Sequence, residues 1–142
     1  MKELETEIIL NASKEAVWKI LIDFDNYASW NPFIISIKGE PILGTQLTNT
    51  MLNKGKEMVF TPLVTKVEEN HSFEWLGQAL MGMFKGRHYF ILEDMGNGQT
   101  KLIHGEKFSG LLSGIIMSMI GKETLENFEN MNAALKKRVE ES

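Results

Sequence analysis

The chain has 142 residues, with 15 Lys and Arg against 19 Asp and Glu, a formal net charge of −4, and no cysteine. Those totals exclude a disulfide scaffold, a zinc–thiolate site and thiol catalysis, and the acidic balance argues against general nucleic-acid binding. The length suits one domain, residues 1–142. The start, Met1-Lys2-Glu3-Leu4-Glu5-Thr6-Glu7, lacks the basic-then-apolar layout of a signal peptide. The most apolar run, 111–120, falls well short of the roughly 20 residues that span a bilayer, so a cytoplasmic protein without a transmembrane segment is expected.

In chain order, residues 4–10 alternate with Leu4, Thr6, Ile8 and Leu10 on one face, which predicts a first strand. Ser13 is placed to N-cap a helix whose apolar residues Ala16, Val17, Ile20, Leu21 and Phe24 recur at helical spacing. A second short helical turn carries Tyr27 and Trp30, and Asn31-Pro32 closes it, because the residue before proline avoids the helical region. Strands are then predicted at 33–37, 46–51, 56–67, 72–78, 83–92 and 100–108, with Pro62 marking an edge or bulge inside the fourth of the whole series. From Leu111 the period changes to 3.6, and Leu112, Ile116, Met119, Ile120, Thr124, Phe128, Met131, Leu135 and Val139 form one apolar stripe. Gly110, Gly114 and Gly121 loosen its beginning, so regular helix is expected from near Lys122.

Three segments carry a resemblance: Tyr27-Ala28-Ser29-Trp30-Asn31-Pro32-Phe33, Gly86-Arg87-His88-Tyr89-Phe90-Ile91-Leu92, and residues 98–111. With the order of elements they resemble the START-like helix-grip superfamily (SRPBCC), in its polyketide cyclase/dehydrase and lipid-transport branch. The resemblance implies an α+β fold in which a curved antiparallel sheet of about seven strands wraps a long C-terminal helix, with two short helices between strands 1 and 2. It also implies a cavity between sheet and helix for a small hydrophobic ligand, lipid or polyketide-like. It carries over no catalytic residue, since the superfamily includes binders, transporters and cyclases.

Alternation assigns the faces of the last two strands. Leu102, His104, Glu106 and Phe108 oppose a face with Lys101 and Lys107, while Phe84, Gly86, His88, Phe90 and Leu92 oppose Lys85 and Arg87. The lysine- and arginine-bearing faces should meet solvent. Pairing inward with inward residues then requires a three-residue Gly96-Asn97-Gly98 loop and sets His88 opposite Glu106. That pair reads as a polar anchor, as an acid–base couple, or as a satisfied buried pair that fixes register. His104 shares the face, which gives the composition of a two-His-one-carboxylate set. Strand alternation alone explains that spacing, and neither a metal nor a cofactor is expected.

The residues expected around the ligand are Trp30, Trp75, Phe84, His88, Phe90, His104, Glu106, Phe108, Met119 and Phe128. A ligand-binding protein is one function these residues allow. A cyclase- or dehydratase-type enzyme working through His88 and Glu106 is a second, and the nucleophile elbow and phosphate loop of other enzyme classes are missing from the sequence. The apolar segment 110–121 reads as a mobile gate, as a buried helix start, or as an interface for a homodimer, another protein or a membrane surface.

Overall fold

The computed structural model describes residues 2–142. Strand β1 (Lys2–Leu10) leads to helix α1 (Lys14–Leu21), a 3₁₀ segment (Phe24–Ser29) and strands β2 (Ile34–Lys38), β3 (Thr48–Asn53), β4 (Lys56–Phe60), β5 (Leu63–Glu68), β6 (Ser72–Ala79), β7 (Phe84–Gly96) and β8 (Gln99–Ser109), ending in helix α2 (Ser113–Glu140). The strands form an antiparallel sheet in the order β1-β8-β7-β6-β5 and a second in the order β2-β3-β4. This is a mostly antiparallel eight-stranded architecture with a long C-terminal helix.

The eighth strand comes from Pro62. The expected single strand 56–67 breaks there, because proline has no N–H for the ladder. Residues before it pair with β3, and residues after it pair with β6. The two sheets stay joined across the break. Leu47 donates its N–H to the Pro62 carbonyl at 2.8 Å, and Val64 donates to Thr45 at 2.9 Å.

Ser13 caps α1 as expected, accepting from the Ala16 N–H at 3.2 Å. Asn31 turns the chain into β2 by accepting from the N–H groups of Phe33 and Ile34 at 2.9 and 2.8 Å.

The β7–β8 hairpin has the expected register, with Leu92 opposite Leu102, Phe90 opposite His104 and His88 opposite Glu106. Its turn differs from the expected three-residue loop. Gly96 pairs with Gln99, so the turn is the two-residue Asn97-Gly98, both at positive φ (53° and 75°), and a bulge at Met95 supplies the extra residue. The Asn-Gly pair has the left-handed conformations that such tight turns demand. The bulge then returns inward residues to inward residues.

Helix α2 begins at Ser113 rather than near Lys122. Gly114 and Gly121 are accommodated inside it, at an intrinsic cost of about 1 kcal/mol each relative to alanine. Its first turns are rotated by one residue from the expected stripe. Ser113 and Met117 face inward, whereas Leu111, Ile115 and Met119 are 85%, 64% and 75% exposed. Further on, Phe128, Met131, Leu135 and Val139 bury the expected stripe, and the helix packs on β1 and β8. No helix among the described residues is long and apolar enough to cross a membrane.

Candidate functional site

The inward faces of β6, β7 and β8 bring Trp75, His88, Phe90, His104 and Glu106 together, because each lies two residues from the next along its strand or directly opposite it. Arg87, on the other face, pairs with Glu74 at the solvent side. Phe128 of α2 covers the group from above, stacking on His104 with ring centroids 4.5 Å apart. Phe90 also stacks on His104 at 4.5 Å, and Trp75 stacks on His88 at 5.0 Å.

Two polar residues outside this set complete it. His88 Nδ1 lies 3.1 Å from Glu106 Oε1, and His88 Nε2 lies 2.7 Å from His104 Nε2. On the far side His104 Nδ1 meets Asn132 Oδ1 of α2 at 2.8 Å. Asn132 donates through Nδ2 to Thr6 Oγ1 at 2.7 Å, and Thr6 donates to the His104 carbonyl at 2.8 Å. The result is a hydrogen-bonded chain from a carboxylate to a backbone oxygen, crossing β8, β7, α2 and β1. Thr6 and Asn132 were legible only as polar residues lodged in otherwise apolar stripes.

A hollow of about 80 Å³ opens at the carboxylate end of this chain. Trp75, Gly86 and Glu106 belong to its wall on the large sheet, Met51 and Phe60 to its wall on the small one, and Pro62 closes it at the break between them. Glu106 is the one ionisable side chain in that wall. Larger hollows of about 230 and 580 Å³ lie elsewhere, but charged residues surround them, Glu3, Glu5, Arg87 and Lys107 in one and Lys19, Asp23, Arg138 and Glu141 in the other. An apolar ligand gains most from the hollow at Glu106.

Of the expected ligand residues, Trp75, Phe84 and Glu106 line this hollow. His88, Phe90, His104 and Phe128 are buried behind it, and Phe108 is buried in a stack on Phe84. Trp30 is elsewhere: it packs on Tyr27 and borders a surface hollow with Lys137 and Arg138, because the 3₁₀ segment turns it toward the end of α2. Met119 faces solvent, as the rotated start of α2 dictates. The hollow lies between two sheets, with no α2 residue in its wall. Met51, Phe60, Pro62 and Gln78 escaped sequence reasoning, since their approach depends on how the two sheets fold over each other at Pro62.

His88 and His104 turn their Nε2 atoms on each other, and His104 Nδ1 is taken by Asn132, so the two rings do not converge with Glu106 on a common metal position. Burial, assisted by the neighbouring His88, pushes the His104 pKa well below its ordinary value of 6.5, and the Asn132 hydrogen bond opposes this. Below about pH 6.5 the unfolded chain binds a proton at this histidine that the folded chain refuses, so stability falls as pH falls, by up to about 1.4 kcal/mol per pH unit. Chemical denaturation of wild type and His104→Phe between about pH 6.5 and 5 checks this. The variant should show the shallower decline, and identical slopes would mean that His104 titrates normally.

The model of the family described as polyketide cyclase / dehydrase and lipid transport matches residues 1–140. Among solved structures, a START superfamily protein from Mycobacterium smegmatis is 24% identical, with 98% of this chain and 97% of that one covered and a TM-score of 0.74. The ZhuI aromatase/cyclase from Streptomyces sp. R1128 is 14% identical at a TM-score of 0.80, with coverage of 98% and 93%. A Thalictrum norcoclaurine synthase point mutant, in complex with a transition-state analogue, is 13% identical at 0.75, with coverage of 99% and 94%. No curated protein matches the chain. At these identities the structures establish the fold, and the match over residues 1–140 places the chain in the polyketide cyclase/dehydrase and lipid-transport family.

Proposed function

We propose that the chain binds a small, largely apolar molecule in the hollow between its two sheets and holds it by a hydrogen bond to Glu106. The observation that carries this reading is a carboxylate set in an otherwise uncharged wall and supported from behind by two buried histidines. At about 80 Å³ the hollow is smaller than the roughly 300–1,000 Å³ of ligand pockets in general. Binding therefore moves the wall formed by Met51, Phe60 and Pro62, and β4 is the thin side, since its residues Lys56–Val59 are exposed.

An acid–base enzyme is the second reading, and one observation favours it. The Glu106–His88–His104 chain can hold and pass a proton at the edge of the hollow. Two structural neighbours, an aromatase/cyclase and a norcoclaurine synthase, carry the names of enzymes.

Native mass spectrometry of the gently purified protein tests the binding reading. Wild type should carry a small apolar compound that Glu106→Ala loses, and a bare mass from every expression host would count against binding. If wild type instead transforms a compound that Glu106→Gln binds unchanged, the enzyme reading takes its place.

A further inference from the structure

The buried chain has a direction, and the direction decides which chemical group the hollow accepts. A backbone carbonyl can only accept, so the His104 carbonyl consumes the single proton of the Thr6 hydroxyl. Thr6 Oγ1 must then accept from Asn132, which fixes the amide with Nδ2 toward Thr6 and Oδ1 toward His104. An amide oxygen cannot donate, so His104 carries its proton on Nδ1. His104 is fully buried against Phe90 and Phe128, where a second charge-bearing proton is unfavourable, so its Nε2 presents a lone pair. His88 must fill that lone pair with its own Nε2–H.

One site is left. His88 Nδ1 faces Glu106 Oε1 at 3.1 Å, and a neutral imidazole beside an ionised carboxylate would place two lone pairs against each other. A single proton belongs between these atoms, on either one. Glu106 Oε2, lying over Gly86 in the wall of the hollow, then has no proton to give. Among the described residues it makes no hydrogen bond.

We infer that Thr6 and Asn132 act as positioning residues that polarise the histidine chain, so that Glu106 Oε2 is an acceptor and the hollow selects molecules bearing a hydroxyl or N–H donor over ethers, ketones and carboxylates. This deepens the binding reading and rests on it for the choice of molecule, while the proton order is a property of the protein alone.

The experiment has two arms. In the first, protein labelled with ¹⁵N at histidine is read by long-range ¹H–¹⁵N correlation near neutral pH. Wild-type His104 should show a protonated Nδ1 and a bare Nε2, with a protonated Nε2 on His88. Thr6→Val frees Asn132 to turn over, so His104 should lose its single tautomer, and Thr6→Ser, which retains the hydroxyl, should restore it. A wild-type His104 protonated on Nε2 overturns the proton order, and a pure Nδ1–H form that persists in folded Thr6→Val overturns the positioning role of Thr6. If Thr6→Val does not fold, the wild-type and Thr6→Ser spectra still decide.

In the second arm, 2-naphthol and 2-methoxynaphthalene are titrated as probes of equal ring system, differing in the donor. The hydroxyl compound should bind about ten-fold or more tightly, because the ether leaves Oε2 desolvated and unpaired. Equal affinity for the two overturns the donor selectivity. Binding of neither overturns the binding reading and the selectivity with it, and is told apart from the first failure by the tautomers.

Discussion

Replacing Glu106 by alanine should lower the unfolding free energy by about 1–3 kcal/mol, since it leaves His88 Nδ1 without a partner in a nearly dry site. His88 is 1% exposed and Glu106 is half-sheltered at the edge of the hollow, so solvent cannot repair the loss on the histidine side. His88→Ala should cost more, about 3 kcal/mol or above, as it also opens a space against Trp75, Phe90 and Phe128 and strands His104 Nε2. The two losses should not add. Alanine at both positions removes the stranded Nδ1 that Glu106→Ala alone leaves behind, while His104 Nε2 stays unpaired, so the double variant should fall short of the summed losses by a coupling of about 0.5–3 kcal/mol. Denaturant titration of the four proteins measures it. Strict additivity would mean that the two side chains do not meet in solution, whatever the strand register.

Gly86→Ala should mimic the loss of Glu106 without touching it. A Cβ on Gly86 would occupy the place of Glu106 Oε2, and the next atoms that it meets belong to the same side chain. The clash is with the far end of a flexible side chain, so the backbone need not move. What goes is the hydrogen bond to His88 and the acceptor in the hollow. Stability should fall by about 1–3 kcal/mol, and affinity for a hydroxylated naphthalene should fall with it. Gly77→Ala is the control in the same wall, because its Cβ meets only the Pro62 Cβ at an ordinary 3.8 Å. Glu106→Ala added to Gly86→Ala should do little more. If Gly86→Ala behaves like Gly77→Ala, the carboxylate is not held where the hydrogen bond to His88 needs it.

How much of this could be read from the chain alone depends on the range of the interaction. The His88–Glu106 register was legible because basic residues mark the outer face of both strands, and inward must pair with inward across a hairpin. The same reasoning missed the turn itself, since a bulge at Met95 achieves with a two-residue turn what a three-residue loop was expected to do. Pro62 was recognised as an irregularity, yet its effect, the handing of the chain from one sheet to another, depends on partners far away in sequence. The apolar stripe of α2 held from Phe128 to Val139. It slipped by one residue before that, because Gly114 and Gly121 contribute no side chain to fix the phase, and Met119 moved to solvent as a result. Trp30 adjoins the short helices in sequence, but the orientation of the 3₁₀ segment decides where its ring points. Thr6 and Asn132 lie 126 positions apart, and no local pattern links them. Their only signature was polarity on faces that should be apolar.

If a small molecule occupies the hollow beside Trp75 and Glu106, the three tryptophan indoles report on it separately. Trp75 lines the hollow, Trp18 is buried against Phe73, and Trp30 sits beside Tyr27 near the end of α2. In ¹H–¹⁵N spectra of ligand-free protein titrated with 2-naphthol, the Trp75 indole and the Gly86 amide should shift saturably, at one common affinity, while the Trp30 indole stays in place. A spectrum unchanged at Trp75 up to the solubility limit, or a shift centred on Trp30, would contradict the account.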